Sequence, residues 1–219
     1  MKRDEKNMLS RRRILDSAFK EFGELGYGLS SVNTICSSGG ISKGILYYYF
    51  ADKDELYLAC VKEMLDALTD HLSSAMIQAA DSGNSLELYF DARDAFFHEK
   101  PLYHRLFCDI VMRPPEHLSG AIGNLKVPFD ELNISILTKL LSSKKLRAGV
   151  TIESAVETFR LYQDFINARY YLSNARQDDL EKHEQICRHS LSILLYGVIE
   201  RDDQTIERDD QTIERDDQI

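Results

Sequence analysis

The 219-residue sequence has only four prolines, eleven glycines and four cysteines, and it lacks any long apolar run. With Gly and Pro sparse and β-branched alternation rare, apolar residues recur three and four apart almost throughout, which reads as all-α. Cys36, Cys60, Cys108 and Cys187 stand far apart with no C-x-x-C among them. In a cytosolic chain they are reduced, buried thiols. No apolar stretch approaches the roughly 18 residues of a membrane span, and Met1-Lys2-Arg3-Asp4-Glu5-Lys6 leads into polar sequence rather than a signal peptide. The expectation is a cytoplasmic protein with no membrane partner and no cofactor. Also missing are a nucleophile–base arrangement, a phosphate loop and paired carboxylates in a cleft-like context, so no enzyme is expected.

The net charge of −9 is unevenly divided. The first 50 residues hold eight Lys and Arg against five acids, whereas residues 200–219 hold three Arg against nine acids. Phosphate binding needs only a local basic face, so overall acidity excludes a protein that coats nucleic acid but not one with a basic reading end. Lys2, Arg3, Lys6 and Arg11 to Arg13 read either as a basic arm for the DNA backbone or minor groove, or as a solvated tail.

A first helix is announced by Ile14, Leu15, Ala18, Phe19 and Phe22, and Gly26 and Gly28 end it. Ser30-Ser31 offers a cap for a short helix with Val32, Ile35 and Cys36 buried; Gly39-Gly40 breaks it. Ser42 caps a third helix, Lys43 to Phe50. Asp52 and Glu55 form a capping box, Glu55 reaching back to the Asp52 amide, before a long helix through Leu56, Cys60, Met64, Leu68 and Leu72. Asp81-Ser82-Gly83-Asn84 marks a break. Further helices are predicted near 85–99, 102–112, 116–123 and 129–145, then 151–174 and 178–200 as an antiparallel hairpin across Asn174 to Asp179. Ile-Glu-Arg-Asp-Asp-Gln repeats from Ile199, Ile206 and Ile213. One apolar residue per heptad makes no coiled-coil seam, so the repeat reads as an extension of the last helix or a frayed tail.

Three short helices, the second and third joined by glycine, describe a helix-turn-helix, in which one helix enters the major groove while its neighbour braces on the backbone. Tyr47, Tyr48 and Tyr49 are consecutive and cannot all be buried by one helix. Leu46 and Phe50 are the natural core pair, leaving tyrosine hydroxyls for phosphates.

The stretch Ile14, Ala18, Phe22, Gly26-Tyr27, Ser31, Ile35 and Gly40 to Phe50, completed by Ala51 to Leu56, resembles the N-terminal signature of the tetracycline-repressor (TetR) family. The resemblance implies that Ser31 sets the bracing helix on a phosphate and that Asn33 reaches a base. It implies that Lys43, Gly44 and Ile45 form the groove-facing start of the recognition helix, with Ser42 beside them among the DNA-binding residues. Tyr47, Tyr48 and Lys53 match phosphate-gripping positions, and Tyr49 stands where histidine is common. Cys36 and Gly39 depart from alanine, which predicts a looser end to the bracing helix.

The resemblance further implies an all-α protein with a helix-turn-helix domain at 1–52, a larger helical domain at 53–200 that binds a small molecule and dimerises, and the acidic repeat at 201–219. The partners expected are double-stranded operator DNA, an apolar or aromatic effector, and a second copy of the chain through the helices near 151–174 and 178–200. Ile186, Ser190, Ile193, Leu194 and Gly197 are candidates for that interface. Candidate effector contacts are Phe97, Phe107, Arg113, Phe129, Tyr162, Gln163 and Ile166, although most such aromatics are ordinary core. His104 with Cys108 and His183 with Cys187 share helical spacing, but such pairings arise by chance and no metal site is expected. The function read from this is a transcriptional regulator, a repressor released from its operator by a ligand; the alternative is a DNA-bound scaffold that recruits a protein partner.

Overall fold

A computed structural model describes residues 3–78, 85–172, 185–186 and 188–193. The Asp81 to Asn84 break, the Asn174 to Asp179 turn, most of the 178–200 helix and the repeat tail lie outside the described residues. Among the described residues eight helices account for the architecture: α1 Arg3–Leu29, α2 Val32–Gly39, α3 Lys43–Tyr49, α4 Lys53–Gln78, α5 Ser85–Glu99, α6 Pro101–Met112, α7 Ser119–Ser142 and α8 Ile152–Leu172. A 3₁₀ turn, Glu116–Leu118, leads into α7. Among the described residues no helix is long and apolar enough to cross a membrane.

Two segments differ from the sequence expectation. The basic arm is not a separate extended strand of chain: from Arg3 onward it is the first part of α1. No Gly or Pro interrupts residues 3–22, so nothing stops the helix from propagating backwards. The helices expected at 116–123 and 129–145 are one helix, α7, which runs through Pro128. Pro128 and Asn124, whose carbonyl loses its intrahelical partner, both face outward, while Ile122 and Phe129 on either side are buried. An exposed carbonyl is open to solvent and needs no partner within the protein, and packing holds both halves in line.

Helix α4 is the spine, packing against α1, α5, α6 and α7. Its buried residues include Leu56, Cys60, Met64, Leu68 and Leu72, as the spacing predicts. The core is one continuous cluster from Ile14 to Leu191. Helix α1 therefore packs on α4 and α6 as well as on α2 and α3. Phe19 stacks on Tyr103 at 4.6 Å between ring centroids, and Phe22 meets Tyr57 edge-on at 5.0 Å.

Candidate nucleic-acid interface

The two short helices are set by serine caps and glycine turns. The Ser31 hydroxyl accepts from the Asn33 amide at 3.2 Å, while the Ser31 amide donates to Glu21 Oε1 at 2.9 Å. Ser30 is turned inward instead, donating to the carbonyls of Glu21 and Gly26. Helix α2 ends at Gly40, whose φ of 59° lies in the left-handed region that glycine enters without strain. Ser42 caps α3 by accepting from the Ile45 amide at 3.3 Å.

The end of α2 is not loose, contrary to the expectation from Gly39. A Cβ at Gly39 would come within 2.6 Å of Ile41 Cδ1 and 3.1 Å of Ser17 Cβ, so glycine permits the contact with α1. The Ser17 hydroxyl donates to the Ile35 carbonyl at 2.8 Å, and Arg13 donates to the Gly39 carbonyl at 2.9 Å. Arg11 lies over the Phe50 ring, and Arg12 reaches Asp16 and Glu63. All three arginines of the basic run are thus engaged within the fold.

Helix α3 divides into two faces. Leu46 is wholly buried and Phe50 follows it into the core. On the other side Ser42, Lys43, Gly44, Ile45, Tyr47 and Tyr48 are exposed, Ile45 at 45% and Tyr48 at 72%. Asn33 on α2 is exposed and Ser31 half-buried. A Cβ on Gly44 would meet nothing within 4 Å. Glycine inside a helix costs roughly 0.5–1 kcal/mol relative to alanine, and no contact within the fold requires it here.

Two residues assigned by resemblance are occupied internally. Tyr49 is half-buried and its hydroxyl donates to the Asn7 carbonyl at 3.0 Å, binding α3 to the start of α1. Lys53 donates to the Tyr27 carbonyl at 2.5 Å, with its ammonium 4.2 Å from the Tyr27 ring centroid. Burial lowers the Lys53 pKa from the ordinary lysine value. The Asp52 side chain caps α4 at the Glu55 amide, as expected, but Glu55 reaches back to the Ala51 amide rather than that of Asp52.

Behind the helix-turn-helix lies a polar junction. At Gly26, with φ 70° and ψ 172°, the chain leaves helical geometry and passes close to Asp109 of α6. Tyr57 of α4 donates to Asp109 at 2.9 Å, and burial raises the Asp109 pKa. Tyr27 donates to Asp54, whose second oxygen lies 3.3 Å from His117 Nε2. The Tyr27 hydroxyl is pushed up to about 12 by burial and by this bond, and the same bond holds Asp54 below the usual carboxylate range. Arg12 and Tyr103 both donate to Glu63 Oε1, at 2.6 and 2.9 Å.

A cavity of about 180 Å³ opens among α5, α6, α7 and α8. Of the candidate contacts, Phe107, Phe129 and Gln163 line it, with Tyr89, Phe90, Arg93, Asn133 and Phe159. Phe97, Arg113, Tyr162 and Ile166 are not in its lining. Phe97 packs behind the wall against His104 and Phe107. Arg113 ends α6 and borders a different cleft, beside Gly26 and Asp109. Tyr162 points to the Ser190 hydroxyl at 3.0 Å, and Ile166 is buried apart from the cavity. Ser190 is buried in this contact, whereas Ile186 and Ile193 are exposed, as are Leu161 and Phe165 of α8. His183, Cys187, Leu194 and Gly197 lie outside the described residues.

Arg93 and Asn133 were missed from the sequence. A signal for Arg93 was present: it is a charge on the apolar stripe of α5, between Tyr89-Phe90 and Phe96-Phe97. Asn133 carried no comparable signal.

Residues 14–60 match the family model described as bacterial regulatory proteins, tetR family. The HTH-type transcriptional activator FasR of Mycolicibacterium smegmatis is 27% identical over 173 residues, 77% of this chain and 75% of FasR. The HTH-type transcriptional regulator RutR of Escherichia coli is 27% identical over 135 residues, 61% of this chain. That match spans 63% of RutR, under two thirds of its length. Among solved structures, the transcriptional regulator FadR from Bacillus subtilis, in complex with stearoyl-CoA, superposes with a TM-score of 0.60 at 17% identity. The superposition covers 80% of this chain and 96% of FadR. Residues 14–60 thus carry the helix-turn-helix of the tetR family, and the chain is similar over most of its length to DNA-binding transcriptional regulators.

Proposed function

We propose that the chain is a homodimeric repressor that reads operator DNA with the exposed start of α3 and lets go when a small molecule enters the α5–α8 cavity. The observation that carries the reading head is the outward face of α3, where Ile45, Tyr47 and Tyr48 stand in solvent beside Lys43 while Leu46 holds the helix to the core. Lys43, Gly44 and Ile45 meet base edges; Ser31, Ser42, Tyr47 and Tyr48 hold phosphates, and Asn33 adds a base contact. Tyr49 and Lys53 stiffen the head through Asn7 and Tyr27, which makes their part in DNA binding indirect.

A short helix reads too few bases for specificity, so two heads are required about one helical turn apart. Exposed Leu161 and Phe165 on α8, with Ile186 and Ile193, supply an apolar face for a second copy. Residues 1–52 then form the head and 53–200 the effector and dimer unit. Helix α6 connects the two events: Phe107 and Val111 line the cavity, and Asp109 between them touches Tyr57 and the Gly26 bend. A ligand that displaces α6 therefore moves α1, and a coupling of about 1–3 kcal/mol suffices for regulation.

The test is operator binding by fluorescence anisotropy, on a duplex selected from a random library. Lys43→Ala and Tyr47→Phe are each expected to weaken binding, and Lys43→Ala to reduce the salt slope by about one. Unchanged affinity and slope in both variants would remove α3 as the reading element.

A further inference from the structure

On the outward face of α3 one exposed side chain has no polar atom. Ile45 leaves 45% of its surface in solvent, immediately before the wholly buried Leu46. Its neighbours have a choice of partners on DNA: Lys43, Tyr47 and Tyr48 can each donate to a phosphate oxygen or to an acceptor on a base edge, so their chemistry alone fixes no base. Ile45 has only carbon to offer. In the major groove every base pair displays hydrogen-bonding groups, but only pairs containing thymine add a methyl, on C5.

The local geometry favours a base edge. At about 100° per residue, Gly44 and Tyr48 lie opposite Leu46, and Ile45 stands beside them. A Cβ on Gly44 would meet nothing within 4 Å, so the strip of α3 next to Ile45 is bare backbone. Bare backbone approaches a ligand more closely than a clothed helix does, and the first side chain beside it then reaches furthest into the groove. Ile45 is also held ready. The Ser42 hydroxyl accepts from its amide at 3.3 Å, Leu46 and Phe50 fix the rotation of the helix, and a β-branched side chain has little χ1 freedom to lose. We infer that Ile45 determines specificity by packing on a thymine C5-methyl, so that each operator half-site requires a T·A pair opposite it. The inference rests on the proposed reading of α3 as the DNA-reading element, and it adds the identity of one base.

The experiment uses the full-length chain and an operator duplex that it selects from a random library. Each thymine is replaced in turn by deoxyuridine, which removes the methyl and leaves the hydrogen-bonding groups in place, and binding is read by fluorescence anisotropy at fixed salt. One thymine per half-site is expected to weaken wild-type binding about 4-fold when replaced, and about 15-fold when both half-sites are changed, the size of one buried methyl at each. Ile45→Ala is expected to bind the thymine and deoxyuridine duplexes equally, and Ile45→Val to keep most of the wild-type preference. The melting temperature and salt slope of Ile45→Ala are expected to match wild type, which a folding defect or a lost phosphate contact would not allow. A C·G pair at the same position is expected to bind weakly and to recover when its cytosine carries a C5-methyl. No thymine with this sensitivity would overturn the inference, as would a thymine equally sensitive in Ile45→Ala, which would assign the methyl to another side chain. Both results leave α3 standing as the reading element. A selection that enriches no sequence, or an operator indifferent to Lys43→Ala and Tyr47→Phe, would refute that element and the inference with it.

Discussion

The helix-turn-helix and the effector half place their candidate functional groups in opposite ways. In the head they stand outside the core: Ile45, Tyr47 and Tyr48 are exposed, and nothing in the fold needs the bare backbone at Gly44. In the effector half they are part of the core, with Arg93 buried among the phenylalanines that hold the helices together. DNA is large and is met at a surface, whereas a small ligand is met by enclosing it. The head can therefore change its contacts without changing its stability, and the cavity cannot.

The largest expected effect breaks the head from within. Leu46→Ala removes a wholly buried side chain and is expected to cost about 2–5 kcal/mol, read by thermal melting, with DNA binding lost as the head unfolds. Tyr48→Ala, two residues on, is expected to change stability by no more than about 0.5 kcal/mol and still to weaken DNA binding. Equal melting losses would erase the distinction between the two faces of α3.

A smaller effect sharpens the comparison at the junction. Tyr57→Phe keeps the ring in its buried place and removes the donor to Asp109, a hydrogen bond to a charged group worth about 1.5–3 kcal/mol. Chemical denaturation is expected to show that loss. Because α6 carries both Asp109 and cavity-lining Phe107, ligand-induced release of DNA is expected to weaken in the same variant. A variant as stable and as responsive as wild type would mean that the contact carries neither load.

Much of the head was legible because its signals are local. Serine caps at Ser31 and Ser42, the turn at Gly40, and the conflict of three adjacent tyrosines each depend on a few neighbouring residues. The resemblance over 14–56 supplied what periodicity alone did not, the assignment of that face to DNA. Longer-range features were less legible. The break expected between 123 and 129 does not occur, because the packing of Ile122 and Phe129 that carries α7 through Pro128 is tertiary. Arg113 and Gln163 were equal candidates for the cavity until helix rotation turned one into the lining and the other into a separate cleft. Arg11 to Arg13 read as either an arm for DNA or a solvated tail, yet their partners, Phe50, Glu63 and Gly39, lie elsewhere in the fold.

Gly44→Ala tests the central claim, that the start of α3 is kept bare for a partner outside the protein. A Cβ there meets open space, so the substitution is expected to raise stability by up to about 1 kcal/mol. Operator affinity is expected to fall in the same protein, as the added methyl meets the groove. A higher melting temperature with unchanged or tighter operator binding would contradict the account.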